Sequence, residues 1–333
     1  YTDIKLIGNG TYTATTSVIN NNWDYAYSNI RMAWQFLENI EQCTALGEDE
    51  KTSLTGQIRF FLAYNYIRLV ALYGDVPLIQ KVLTEEECKN QSRTPKKEVL
   101  EFAHNQIDMA INELQGKELE KGRVTVGACL ALKARAYLWE NDYDNLLTVT
   151  SQLLGKYSLN TTGETPYADL FNGNAENSNE IILSCEYAHT SGSIATGNRL
   201  NQAFFLKGMS GGDALGALTP TGSLVDAYPM ADGKLIHEQG STYDPRKPYE
   251  NRDPRLAQSI IYPTSTIRNS ATMEWVLYDP EDERTLPGQR YDDKEPSPTG
   301  YAWKKYCDWS DHAMVQILDG GVDVIYFRYA DVL

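Results

Sequence analysis

The sequence is short of histidine and cysteine and has no long apolar run, and each shortage excludes a class of protein. Its four histidines, His104, His189, His237 and His312, fall in no HExxH or HxH spacing. Its five cysteines, Cys43, Cys88, Cys129, Cys185 and Cys307, lie far apart with no CxxC. Neither set has metal-ligand spacing, and the cysteines lack the density of a disulfide-stapled scaffold. We read the cysteines as mostly buried apolar side chains and the histidines as mostly surface groups. No stretch of about 18 apolar residues is present, so no segment reads as a membrane-spanning helix. Neither GxGxxG nor a P-loop occurs, so no nucleotide cofactor is expected.

Positive charge is also scarce. Lys and Arg total 30 against 45 Asp and Glu, a formal net charge of -15. Such a field repels phosphate backbones, so nucleic acid is not an expected partner; the plain role of the acid excess is solubility. With 42% hydrophobic and 23% charged residues the composition is that of an ordinary folded protein. The aromatics are uneven, with 22 Tyr and 6 Trp against 8 Phe. Rings that carry a hydrogen-bonding tip suit stacking on a polar ligand.

Residues 1–22, rich in Asn, Thr and Gly, carry no period and read as an irregular segment. From Trp23 the pattern turns helical. Trp23, Tyr27, Ile30, Trp34 and Leu37 mark one face of a long helix ending near Gly47. Gly56 to Tyr73 is apolar almost all round, which predicts a helix buried on several sides and stopped by Gly74 and Pro77. Val99 to Leu114 marks a third helix. A fourth starts from an N-cap at Thr125, with a stripe of Ala128, Ala131, Ala134 and Leu138. After a break at Asn141 and Asp142 a fifth carries Leu146, Val149 and Leu153, and the pair resembles a tetratricopeptide unit.

Beyond about residue 156 the period is lost. Residues 156–324 are rich in Gly, Pro, Asn and Asp, with strand-like runs at Glu180–Tyr187 and Ser259–Tyr262. We expect this region to fold as short strands and loops packed on one side of the helices. Residues 325–333 read as the start of a further helix with no stop signal, so the chain reads as a fragment of a longer polypeptide.

Two enzyme readings are weighed and set aside. Gly208-Met-Ser-Gly-Gly212 fits the G-x-S-x-G nucleophile elbow, but the following segment is too short and too broken by Gly and Pro for the elbow's helix. Paired carboxylates for glycoside hydrolysis cannot be singled out among 45 acids. No catalytic residue, metal ligand or cofactor is assigned.

Six blocks together resemble one family, in its order. They are Trp23–Ile40, Gly56–Ile79 with its Leu-Tyr-Gly-Asp-Val-Pro-Leu-Ile ending, Asn179–Ser184, Pro220–Gly233, Tyr249–Leu256 and Tyr326–Leu333. The chain resembles SusD/RagB-like proteins over nearly its whole length. The resemblance implies a mainly α fold, a single tetratricopeptide-containing helical scaffold, and a nutrient-binding role, usually for glycan, without catalysis. It also implies a lipid anchor upstream of Tyr1 at the bacterial outer membrane and a SusC-like TonB-dependent transporter as partner, with this protein as its lid. Arg59, Arg68, Arg252, Asp253 and Arg255 lie within the blocks, where we read them as scaffold ion pairs and cap contacts. The alternative is a tetratricopeptide scaffold that binds proteins only; the aromatic, loop-rich second half favours the glycan reading.

A sugar site needs loop aromatics beside polar side chains. Tyr12, Phe204 and Phe205 beside Asn201, Trp275 with Tyr278, and Tyr291 beside Arg290 meet that description. Trp23, Trp34 and Trp139 sit at helical spacing and are expected in the core.

Overall fold

The computed structural model describes residues 6–189, 197–206, 209, 214–269, 272–278, 280 and 297–333. The fold is mainly α. The chain divides into two compact units, one of residues 1–158 with 327–333 and one of residues 159–326.

The first unit is built on α1 (Ser17–Asn39), α2 (Glu48–Tyr73), α3 (Lys96–Leu114), α4 (Val126–Glu140) and α5 (Tyr143–Ser151). The first helix starts earlier than its apolar period suggests: its opening residues 17–22 include three asparagines, and full burial begins only with Ala26, Ile30 and Ala33. It closes in a 3-10 turn at Ile40–Gln42, and Gly47 instead stands just before α2. At the far end of α2, Gly74 adopts φ 71°, which favours a residue without Cβ, and its N–H bonds the Val70 carbonyl at 3.0 Å. Thr125 caps α4 through its hydroxyl, and Asn141 ends that helix in the left-handed conformation at φ 59°.

The second helix organises the unit, touching α1, α3 and α4. Its Phe60, Leu62, Ala63, Tyr66, Ile67 and Leu69 are buried. Gly56 lets α3 come close: a Cβ there would lie 2.8 Å from Leu114 Cγ. The same contact holds an ion pair, with Arg59 Nε 2.9 Å from Glu113 Oε1 and Arg59 Nη1 2.8 Å from Gln106 Oε1. Burial lifts the Glu113 carboxyl above its ordinary range, against the opposing pull of Arg59. Tyr66 helps pin the exit from α2. The Tyr66 hydroxyl donates to the Ile79 carbonyl at 2.7 Å and accepts from the Ile79 N–H at 2.8 Å.

In the second unit no described element exceeds six residues. It carries β1 (Ile181–Cys185), α6 (Leu200–Phe204), α7 (Pro254–Ser259), β2 (Ile260–Ile261), β3 (Ser265–Arg268), β4 (Trp275–Tyr278), β5 (Ala302–Trp303) and α8 (Asp311–Val315). The second strand runs antiparallel to β5, and β3 to β4 with Ser265 opposite Tyr278 and Arg268 opposite Trp275. Phe205, Ile261, Ile267, Tyr278, Ala302, Cys307, Met314 and Ile317 form its core. Arg252 is buried and donates to three carbonyls, those of Pro248, Val225 and Tyr228, while Asp253 caps α7 and pairs with Arg255 at 2.6 Å. Asp253 and Arg255 make the cap and ion pair expected of them, whereas Arg252 is held by backbone carbonyls.

The last residues correct one expectation. Residues 325–333 do not begin a helix: β6 (Val324–Arg328) is a strand, followed by a 3-10 turn at Tyr329–Asp331. The run Val-Ile-Tyr-Phe is β-branched and aromatic, which favours the extended chain, and the Asp331 carboxylate accepts from the Arg328 N–H at 3.3 Å to close the turn.

Close approach of α2 and α3 at Gly56 predicts that Gly56→Val destabilises the protein by about 1–3 kcal/mol through overpacking. Urea denaturation measures this, and an unchanged midpoint would mean that the two helices are not seated on that glycine.

Candidate functional site

Where an exposed ring stands on a rigid base, it can stack on a ligand without first being ordered. The second unit offers such a ring. Trp275, on β4, is 55% exposed. It lies against the half-buried Trp309, with ring centroids 5.5 Å apart at 39°, and Trp309 lies in turn against the fully buried Phe205 at 5.0 Å. The three rings run from the core to the surface.

Arg268 locks this arrangement. It faces Trp275 across the β3–β4 ladder, and its half-buried guanidinium donates to the Trp309 carbonyl and pairs with the exposed Asp311 carboxylate. Its Nε donates to the Met273 carbonyl at 3.3 Å. One guanidinium thus ties the strand that bears Trp275 to the segment that bears Trp309. Glu274, next to Trp275 in the chain, and Asp311, the partner of Arg268, are exposed carboxylates. An exposed apolar ring face on an ordered base fits a ligand with C–H faces, whose hydroxyl edges need polar side chains.

The other candidates differ in exposure. Asn201 is fully buried, and its amide donates to the Asp308 carbonyl at 2.8 Å and the Ala313 carbonyl at 3.4 Å while accepting from the Asp308 N–H at 2.9 Å. Phe205 and Tyr278 are fully buried too, with the Tyr278 hydroxyl donating to the Gly300 carbonyl at 2.8 Å. These three are corrected from ligand contacts to core residues, because their surfaces and polar atoms are already taken by the protein. Phe204 is half-buried, 6.0 Å from Trp303. Tyr12 is 50% exposed in the first unit. Arg290 and Tyr291 fall outside the described residues, as do Gly208, Ser210 and Gly212 of the G-x-S-x-G run.

Trp139 is a correction in the opposite direction. It is 52% exposed at the end of α4, beside an open cavity of about 810 Å³ that is also lined by Ile67, Val70, Leu100, Lys96 and Lys97. Its spacing is helical, but the last turn carries it past the buried alanine face. Trp23 and Trp34 are half-buried, and the Trp34 indole donates to the Ile79 carbonyl at 2.9 Å.

Sequence reasoning missed Trp309 and Arg268. Trp309 carried the same signal as the residues that were chosen, an aperiodic tryptophan among Asp308, Ser310 and Asp311. Arg268 carried none, since only strand register places it opposite Trp275. The fold also gathers residues that no sequence spacing linked: His189, His312 and Asp319 each offer a ligand atom, all within 4.8 Å of one another.

Comparison with known proteins decides the family. A model described as the SusD family matches residues 179–333, and one described as starch-binding associating with outer membrane matches residues 4–138. The chain belongs to the SusD/RagB-like family. A SusD-like protein of Formosa agariphila is 26% identical over 172 residues, 51% of this chain and 32% of that protein. A crystal structure of a SusD-like protein from Bacteroides fragilis has TM-score 0.80 and 27% identity, covering 97% of this chain and 64% of that one. Another from the same species, described as a SusD-like carbohydrate binding protein, has TM-score 0.79 and 23% identity over 97% of this chain and 61% of that one. This SusD-like chain therefore spans about a third of the curated relative and under two thirds of these solved ones.

The buried amide of Asn201 predicts a stability role. Asn201→Ala strips partners from buried backbone groups of residues 308 and 313 and should destabilise the protein by about 1–3 kcal/mol. Thermal denaturation checks this; a variant as stable as the parent would return Asn201 to the ligand candidates.

Proposed function

We propose that this chain is a carbohydrate-binding protein that acts without catalysis, and that the Trp275 ring, backed by Trp309 and Phe205, is a stacking platform for its ligand. The observation that carries the reading is the exposed Trp275 indole held on a buried aromatic base by Arg268. Family membership supports it, as does the printed description of a structural relative as carbohydrate binding. Phe204 and Tyr12 remain secondary candidates, each with an incompletely buried ring.

The physiological setting rests on the resemblance. The protein sits at the outer membrane, held by a lipid anchor ahead of Tyr1, and hands captured oligosaccharide to a SusC-like TonB-dependent transporter, so that proximity and an opening motion couple capture to import. The description of the matched family as associating with the outer membrane supports that location. The acidic surface fits a neutral ligand better than a polyanion.

Affinity electrophoresis and calorimetry against a panel of polysaccharides test this reading. Trp275→Ala should weaken binding roughly five- to tenfold, about 1 kcal/mol, with no change in melting temperature. Phe205→Ala should instead cost about 3–5 kcal/mol of stability. Full glycan affinity in the Trp275 variant would remove the platform, and an absence of binding by the parent to every glycan would favour a protein-only scaffold.

A further inference from the structure

Two buried carboxylates and two imidazoles meet in the second unit, away from any role assigned above. Asp308 and Asp319 are 5% and 4% exposed. His312 Nε2 lies 2.8 Å from Asp319 Oδ2, and His189 Nε2 lies 3.1 Å from Asp308 Oδ2. The imidazole rings sit 4.5 Å apart. Two buried negative charges need a cation close by, because desolvation makes an uncompensated buried charge costly.

Hydrogen bonding fixes one imidazole's orientation. His189 Nδ1 is 2.9 Å from the Asp319 carbonyl oxygen, which only accepts, so Nδ1 carries the proton. The lone pair of a neutral His189 is then on Nε2, which also has Ser310 Oγ at 3.5 Å. An imidazole whose Nδ1–H is held by a backbone carbonyl, with Nε2 left as the ligand atom, is the arrangement in which histidine binds metal ions. The facing Asp308 carboxylate is already engaged, accepting from the Ser310 N–H at 3.0 Å and the Gly321 N–H at 2.8 Å. Its Oδ2 also lies 3.1 Å from His189 Nε2, so Asp308 stands on the ligand side of that imidazole, with both of its oxygens held by backbone N–H groups.

Asp319 supplies the independent observation. Its Oδ1 is buried and has no hydrogen-bond partner among the described residues. The backbone of Gly197 closes over it so tightly that a Cβ there would lie 2.5 Å from the Asp319 Cα. A buried carboxylate oxygen with no donor among the described residues is a natural ligand for a cation.

We propose that His189, His312 and Asp319 form a binding site for a divalent transition-metal ion of the zinc class. Two imidazoles and a carboxylate suit such a borderline ion, whereas calcium and magnesium take oxygen ligands. The ion would bind His189 through Nε2, take one nitrogen of His312 and the Asp319 carboxylate, and keep a position open. It would tie the segment after β1 to α8.

Zinc titrated calorimetrically into chelator-treated protein should show one saturable site. His189→Ala and His312→Ala should each weaken it at least tenfold, whereas His237→Ala, an exposed histidine elsewhere, should leave it unchanged. X-ray absorption of the zinc-loaded parent reads the ligands without depending on how any variant folds, and two imidazoles should appear in the coordination shell. No saturable binding, a shell of oxygens alone, or undiminished binding by the His189→Ala/His312→Ala double variant would overturn the site.

Discussion

A surface built from loops stays in one shape only if its buried backbone groups find partners, and in residues 159–326 buried side chains supply many of them. Regular ladders cannot do it there, since the strands described in that unit are no more than five residues long. Asn201 holds the backbone at Asp308 and Ala313. Asn198 reaches the Val322 carbonyl at 2.8 Å, and Arg252 gathers three carbonyls. The Asp323 carboxylate accepts from the Tyr187 N–H at 2.9 Å. Removing one such side chain strands backbone groups in the interior, so the penalty exceeds that of the hydrogen bond itself.

The aromatic platform inherits its rigidity from this fastening. Phe205 follows α6, whose Asn201 anchors residue 308, and Trp309 is the next residue along. Arg268 adds the link from β3 to the Trp309 carbonyl. A ligand meeting Trp275 therefore finds a ring whose support is already ordered, which lowers the entropic cost of binding. The platform's presence and its stiffness have separate causes: the first is a solvent-facing position on a short strand, the second a set of polar anchors beneath it.

The helices were legible because period and punctuation agree. The burial of α2 on several sides, the Gly74 stop and the Thr125 cap each have a local cause that a sequence displays. The loop-rich unit was legible only as a region. Asn201 and Tyr278 looked like surface residues because Asn is usually exposed and Tyr often amphipathic, whereas here a backbone carbonyl or N–H from more than 20 residues away takes each polar atom. Trp139 failed the other way, since helical spacing says which residues share a face but not where a partner helix stops covering it. Arg268 and the His189, His312 and Asp319 group depend on tertiary contacts across gaps that no local pattern spans.

The central claim is that carbohydrate contacts Trp275 on its aromatic base. Fluorine NMR of protein labelled with 5-fluorotryptophan, with the six resonances assigned from single Trp→Phe variants, addresses it directly. On addition of a bound oligosaccharide the account predicts that the Trp275 resonance moves most, with a smaller movement of Trp309 beneath it and none of Trp23 or Trp34. Saturable binding that leaves Trp275 and Trp309 unmoved, or that moves Trp139 alone, would contradict it.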